Sequence, residues 1–230
     1  EFREGNHLVY PTAMRRALEL VTGENVQNFK NQNARAIAEH LCPVMFGNIY
    51  DYSAGYGGRL LGITASNMRY NYTGIDPNTE TIKYLNYLNT LVDNPGAIVQ
   101  NVSEDYQPED IDLAFSSPPY FNLEKYSDED TQCMVRYRTL DEWFSGYVEP
   151  TIENIYNGLN KDGIFATNIA DYKSYGNKEY KVVEDWISTA ERIGFKHTST
   201  IKMMLNTRPG VGNDKLAGRE KFEGVYVFTK

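Results

Sequence analysis

Short apolar runs typical of buried strands alternate along this chain with longer segments of helical periodicity. Glycine, proline and aspartate follow several of the apolar runs and mark where each strand should end. Strands that alternate with helices favour a mostly parallel sheet covered by helices on both faces. We therefore predict the α/β class, with strands at 48–54, 70–75, 97–102, 111–115, 164–169, 195–204 and 224–229, and helices at 12–21, 33–41, 79–91, 139–159 and 178–193.

The chain of 230 residues suits one domain with a full hydrophobic core. No internal repeat or low-complexity linker divides it. We predict a single domain over 1–230, in which 1–45 form an N-terminal helical segment and 46–230 form the core.

The charge and the metal-ligating residue types exclude several function classes. A net charge of −8 and a pI near 5.0 argue against a general nucleic-acid coat, because phosphate contact needs clustered lysine and arginine. The 2 cysteines and 3 histidines show no metal-ligand spacing, so we expect no metal and a reducing, cytoplasmic setting. No apolar run approaches the about 18 residues of a membrane span, so we expect no membrane partner.

A glycine-rich loop follows the first predicted strand: Gly55-Tyr56-Gly57-Gly58. Glycines between a strand and a helix let the backbone approach a ligand, and the helix start offers unpaired N–H groups. The dinucleotide-binding pattern needs another glycine three residues after Gly57, and that position is Leu60. The loop is therefore a poor candidate for NAD, and a simple tight turn is the alternative.

Acidic residues follow the second and third predicted strands. Asp76, about 20 residues after the glycine loop, is placed to accept hydrogen bonds from ribose hydroxyls. Alternatively, Asp76 or Asn78 caps the next helix, and the two roles are compatible. Glu104 and Asp105 follow the third strand, where an acid can accept from an adenine amine, or lie in a solvated turn.

The fourth predicted strand runs into Ser116-Ser117-Pro118-Pro119-Tyr120-Phe121. Two prolines cannot continue a strand ladder, so this stretch should lie rigidly at the carboxyl edge of the sheet. Ser117 and the Pro118 carbonyl can accept hydrogen bonds from an exocyclic amine, while Tyr120 stacks on the ring that carries it. An ordinary turn after a strand is the alternative.

Two polar segments beside these motifs are candidates for substrate contact. Residues 122–138 have no apolar period, and 206–221 form a glycine-rich loop. The basic residues of the second segment should contact phosphate, and a solvated surface loop is the alternative: Arg208, Lys215, Arg219 and Lys221. Arg136 and Arg138, in the first segment, are further candidates for substrate contact.

The glycine loop, the acid after strand two and the Ser-Pro-Pro-Tyr motif together resemble the S-adenosylmethionine-dependent DNA amino-methyltransferases, over residues from about 33 to the end. The resemblance implies a Rossmann-like class I methyltransferase fold, with a doubly wound, mostly parallel seven-stranded sheet. It implies S-adenosylmethionine as the cofactor, held by Lys30, Asp51, Ser53, Ala54, Gly55, Gly57, Asp76, Pro77, Glu104, Asp105 and Ser116. It places the catalytic residues at Ser117, Pro118, Pro119 and Tyr120, with Phe121 and the six basic residues named above at the substrate.

The resemblance also implies the reaction, which is methyl transfer to the exocyclic amine of a flipped DNA base. Serine in the first motif position is more typical of cytosine-N4 than of adenine-N6 enzymes of this family, so Ser117 favours cytosine without excluding adenine. We see no separate target-recognition domain. An RNA or protein-glutamine methyltransferase and a non-catalytic subunit with this fold remain alternatives, and the oligomeric state stays open.

Overall fold

The computed structural model describes residues 28–123, 125–174, 178–204 and 222–230. Its main sheet has seven strands in the order β3-β2-β1-β4-β5-β9-β8. The strands are β1 (Asn48–Asp51), β2 (Asn71–Asp76), β3 (Ala97–Gln100), β4 (Ile111–Ser116), β5 (Leu159–Asn168), β8 (Lys196–Met204) and β9 (Phe222–Thr229). Strands β1 to β5 are parallel, and β9 runs antiparallel to both β5 and β8. The predicted α/β class and the seven-stranded, mostly parallel sheet are confirmed.

Helices cover both faces of this sheet. They are α1 (Asn31–Leu41), α2 (Gly58–Thr64), α3 (Thr79–Asn89), α4 (Cys133–Arg136), α5 (Leu140–Trp143), α6 (Glu149–Gly158) and α7 (Val183–Ile193). One core cluster joins α1, α2 and α3 to Ile49, Leu113 and Phe115. A second joins α5, α6 and α7 to Tyr50 and Phe165. Neighbouring strand residues point to opposite faces, so each central strand contributes to both cores.

The predicted helix 139–159 is a continuous helix in which one turn has a π-helical hydrogen-bond pattern. A π-helical turn, Phe144–Val148, separates α5 from α6. Pro150 follows it and has no N–H to donate to the Gly146 carbonyl four residues earlier. The Tyr137 hydroxyl lies 2.8 Å from that carbonyl oxygen and 2.7 Å from Glu104 Oε1, so the two acceptors share its single proton. The proline therefore shifts the hydrogen-bond pattern without ending the helix.

Two other elements begin five residues away from the predicted start. β5 begins at Leu159, because residues 159–164 form a bulge opposite Ile111–Leu113. Helix α7 begins at Val183, after a small hairpin of β6 (Tyr172–Lys173) and β7 (Glu179–Tyr180). The Asp171 carboxylate accepts hydrogen bonds from the Val182 and Val183 N–H groups at 2.9 and 3.1 Å, which fixes the start of α7.

The predicted helix 12–21 and most of the N-terminal segment lie outside the described residues. Within the described ranges, no helix has the length and apolar character that a membrane span requires.

Candidate functional site

The carboxyl ends of five parallel strands meet at one edge of the sheet. β1 lies between β2 and β4, and the chain winds outward from it in both directions, to β3 on one side and to β5 on the other. A crevice forms where the strand order reverses in this way, and open α/β sheets bind ligands there. Asp51, Asp76 and Ser116, which end β1, β2 and β4, lie at this edge, as the sequence predicts.

The glycine loop joins β1 to α2 at the centre of the edge. Gly55 and Gly57 have positive φ angles of 54° and 80°, a conformation that other residues adopt only with strain. The Ala54 N–H donates to the Ile75 carbonyl at 2.7 Å, which ties the loop to β2. A Cβ built on Gly55 would meet nothing described nearer than the Ser53 carbonyl oxygen at 3.9 Å, so this side of the loop is open.

Asp51 is fully buried beneath the loop and accepts three side-chain hydrogen bonds. The donors are Arg59 Nε at 2.9 Å, the Tyr72 hydroxyl at 2.8 Å and the Ser116 hydroxyl at 2.6 Å. The Arg59 guanidinium also donates to the Ser53 carbonyl, inside the loop. Asp51 therefore links β1, β2, β4 and α2, and Ser116 is directed at this carboxylate.

Asp76 contacts the loop from the end of β2. Its carboxylate accepts from the Gly55 N–H at 3.0 Å and from the Asn78 N–H at 2.9 Å. Burial raises the pKa of Asp76 to about 6, although these two hydrogen bonds and Arg59 oppose the rise. Asn78 is the residue that caps α3, since its side chain accepts from the Thr81 N–H at 2.9 Å. Asn78, and not Asp76, therefore caps α3 with its side chain. The Asp76 carboxylate remains at the sheet edge.

The Ser-Pro-Pro-Tyr motif leaves β4 directly beside the glycine loop. Ser117 is half-buried and Pro118 is buried. The Tyr120 hydroxyl accepts a hydrogen bond from the Ala170 N–H at 3.0 Å, and its ring meets Tyr172 of β6 edge-on at a centroid distance of 4.9 Å. The motif is thus braced at its aromatic end by the chain that follows β5.

Phe121 is 7% exposed and packs edge-on against Tyr180 at 5.8 Å. Its neighbour Asn122 donates to the Tyr180 hydroxyl at 2.8 Å. These contacts anchor the end of the motif in the core. A direct contact between Phe121 and substrate stays a prediction.

The side chain of Glu104 is 5% exposed and is paired within the protein. Arg136 Nη1 lies 2.9 Å from Glu104 Oε1, and the Tyr137 hydroxyl lies 2.7 Å from the same oxygen. Burial raises the pKa of Glu104, and the Tyr137 hydrogen bond opposes that rise. Asp105 is exposed, with its carboxylate 3.7 Å from Arg136 Nη2. Two residues that the sequence assigns to different ligands, Glu104 and Arg136, therefore contact each other.

A pocket of about 540 Å³ lies beyond the ends of β2 and β3, which is within the usual size range of small-molecule sites. Pro77 and Asp105, both predicted cofactor residues, line it. So do residues that sequence reasoning missed: Gln100, Asn101, Val102, Asp130 and Thr131. Asn101 follows β3 directly, but the predicted strand extended to 102 and hid this position. The usable signal was the polar pair Gln100-Asn101 at the end of an apolar run.

The remaining predicted site residues lie at the periphery. Lys30 is exposed immediately before α1, and Arg138 is exposed before α5. Arg208, Lys215, Arg219 and Lys221 lie outside the described residues. Among the residues that are described, no group of three or more His, Cys, Asp or Glu side chains could hold a metal ion.

No protein-family model matches the chain, and no curated protein matches it.

Comparison with solved structures shows the fold. A 1,6-didemethyltoxoflavin-N1-methyltransferase from Burkholderia thailandensis, solved with its substrate and S-adenosylhomocysteine, superposes with a TM-score of 0.60 at 13% identity, covering 100% of this chain and 92% of that one. The glycopeptide N-methyltransferase MtfA, solved with S-adenosylmethionine, gives a TM-score of 0.57 at 12% identity over 90% of this chain and 96% of that one. An O-methyltransferase from Thermotoga maritima gives 0.53 at 14% identity over 92% of this chain and 69% of that one. With its sheet order and its helices on both faces, the chain has the Rossmann-like fold of the class I S-adenosylmethionine-dependent methyltransferases.

Proposed function

We propose that this protein is an S-adenosylmethionine-dependent methyltransferase that methylates the exocyclic amine of a flipped DNA base, with cytosine N4 preferred over adenine N6. The observation that carries the proposal is the position of Ser117-Pro118-Pro119-Tyr120, which begins where β4 ends, beside the glycine loop. The likeness in fold supports the cofactor but leaves the acceptor open, because the neighbours named above methylate different kinds of molecule.

The residues at the sheet edge fit the cofactor. The open side of the glycine loop has room for the methionine part, and the Asp76 carboxylate can accept from ribose hydroxyls. The pocket beyond β2 and β3 offers Val102 and Pro77 as apolar surface and Asn101 and Asp105 as hydrogen-bonding groups for a nucleobase. When bound, S-adenosylmethionine supplies a methyl group activated by its sulfonium charge.

The motif would act on the amine. A base inside a duplex is inaccessible, so it must be flipped out, at a cost of a few kcal/mol that stacking on Tyr120 offsets in part. Ser117 and the Pro118 carbonyl would accept hydrogen bonds from the amine, favour the tetrahedral nitrogen and hold its lone pair in line with the methyl group. The cofactor would supply its methyl group to this nitrogen and leave as the thioether, and the methylated amine would release a proton to water.

Identification of the methylated product tests this proposal. We expect that incubation with unmethylated DNA and labelled cofactor, followed by digestion to nucleosides and mass spectrometry, places the label in N4-methyl-2′-deoxycytidine. Serine supports this base because its neutral hydroxyl can accept from or donate to the ring. Label in N6-methyl-2′-deoxyadenosine alone would overturn the choice of cytosine but keep the proposed reaction. Label in neither, from a protein that binds the cofactor, would point to an RNA, protein or small-molecule acceptor.

Asp76 should make cofactor binding depend on pH. Its pKa of about 6 is above that of a free aspartate, so the carboxylate is ionised at pH 7.5 and protonated at pH 5. The protonated group accepts hydrogen bonds less well, so affinity should fall by up to about tenfold per pH unit below 6. Calorimetry with S-adenosylhomocysteine between pH 5 and 8 measures this. Asp76→Asn should bind S-adenosylhomocysteine more weakly at pH 8, and its affinity should change less with pH. If its affinity changes with pH as much as that of the unaltered protein, another group causes the pH dependence.

A further inference from the structure

The segment that follows the Ser-Pro-Pro-Tyr motif forms one wall of the 540 Å³ pocket. Asp130, Thr131 and Arg136 line the pocket from this segment. Pro77 and Asn101, at the ends of β2 and β3, line it from the sheet. A predicted loop for substrate contact therefore also borders the place proposed for the cofactor's nucleoside.

Glu104 attaches the later part of this segment to the sheet. Its buried carboxylate meets Arg136 and Tyr137 at 2.9 and 2.7 Å, and both contacts involve the same oxygen, Oε1. Hydrogen bonds to a charged partner are shorter and stronger than neutral ones, and burial excludes competing water. Glu104 is not among the pocket-lining residues, so it reaches the pocket through Arg136.

The earlier part of the segment is attached at a second point. The Glu129 carboxylate lies 3.2 and 3.3 Å from the Thr79 N–H, at the start of α3, where helix N–H groups lack internal partners. The Asn78 side-chain amide donates to the Tyr126 carbonyl at 3.4 Å. The pocket-lining residues Asp130 and Thr131 lie between the two attachments.

We propose that Glu104 is a positioning residue that docks the segment 129–137 as a wall of the nucleoside pocket, so that cofactor affinity depends on a segment outside the sheet edge. This inference rests on the proposed function, because it takes adenosine as the group that the pocket binds. Glu104 acts through Arg136 and Tyr137 and does not itself touch the nucleoside. The chemical class of the ligand is a purine nucleoside with a 5′-thioether or sulfonium substituent.

The test compares Glu104→Gln and Arg136→Gln with the unaltered protein. We expect the affinity for S-adenosylhomocysteine, measured by calorimetry, to fall about tenfold in each variant. The affinity for 5′-methylthioadenosine, which has the nucleoside but no amino-acid part, should fall by the same factor. The loss of affinity in the double variant should be smaller than the sum of the two single losses, because both changes remove the Glu104–Arg136 contact.

A second measurement reports docking without any ligand. Trypsin should cleave after Lys125 and Arg138 faster in Glu104→Gln than in the unaltered protein, at a temperature well below the melting temperature of both proteins. Arg192→Ala, which removes an exposed ion pair with Glu149, is the matched control. It should alter neither the rate of trypsin cleavage nor the melting temperature.

Two outcomes separate this inference from the function on which it rests. Full affinity of Glu104→Gln for both ligands, or additive losses in the double variant, would overturn the positioning role and leave the cofactor assignment intact. Failure of the unaltered protein to bind S-adenosylhomocysteine would overturn the proposed function, and the inference with it.

Discussion

Replacement of Ser117 by alanine should lower the rate of methyl transfer about 100-fold while cofactor affinity stays within a few-fold. The hydroxyl is assigned to the acceptor amine, and removal of one well-placed polar group at a reacting centre costs on the order of 10²-fold or more. Tyr120→Ala should lower the rate about 10- to 100-fold, because stacking of a flipped base is worth about 1–3 kcal/mol. Single-turnover transfer of labelled methyl groups to DNA measures the first quantity, and calorimetry measures the second.

Two variants control this experiment. Tyr120→Phe keeps the ring but loses the acceptor for the Ala170 N–H, so it should retain most of the activity if stacking is the main role. Tyr84→Ala removes a tyrosine that is 64% exposed on α3, and it should leave the rate unchanged. An equal loss of cofactor affinity in Ser117→Ala and Tyr120→Ala would instead show that the motif is structural.

Replacement of Arg59 by leucine should lower the free energy of unfolding by about 3–5 kcal/mol. Arg59 and Asp51 form an ion pair in which both side chains are almost completely buried, at 2.9 Å. Removal of one partner leaves a buried carboxylate without its counter-charge, and losses of that size are typical of such changes. Urea unfolding at neutral pH measures the change, with the slope of the transition as a check on two-state behaviour.

The double variant Asp51→Asn/Arg59→Leu should recover part of this loss, because no unpaired charge then remains in the core and an amide oxygen still accepts from Tyr72 and Ser116. Arg192→Leu breaks the exposed pair with Glu149 and should cost less than about 1 kcal/mol. If Arg59→Leu is no more destabilising than Arg192→Leu, the buried pair does not hold the glycine loop in place.

The strand pattern was predictable because residues close together in the sequence mark each strand and its end. Apolar runs of four to six residues end at glycine, proline or aspartate, and these residues set the carboxyl edge at which Asp51, Asp76 and Ser116 meet. General rules for parallel crossovers limit the possible strand orders without choosing one, and the doubly wound order was expected from the family resemblance. The positions of the glycine loop and of the Ser-Pro-Pro-Tyr motif could therefore be read from the sequence.

The partners of the site residues could not be read in the same way. Glu104 and Arg136 are far apart in the chain, and each looks like a free charge available to a ligand until the fold joins them. Nothing in the sequence around Asp51 indicates that Tyr72 and Ser116 donate to it from neighbouring strands. Periodicity reports burial, but pairing between side chains depends on strand register and helix rotation, which only the packed structure fixes.

The register of β8 and β9 has a consequence for how such a protein can diversify. Met204 and Phe222 are directly opposite each other at the end of the hairpin where the chain connects β8 to β9. Because β8 runs parallel to β5, this connection begins and ends at the carboxyl edge of the sheet. Because both ends are held at one rung, the closure entropy of the connection changes by only about 0.6 kcal/mol for each doubling of its length. Changes of length or sequence between these two residues should therefore leave the sheet nearly undisturbed, so this connection can diversify while the edge that carries Asp51, Asp76 and Ser116 stays the same.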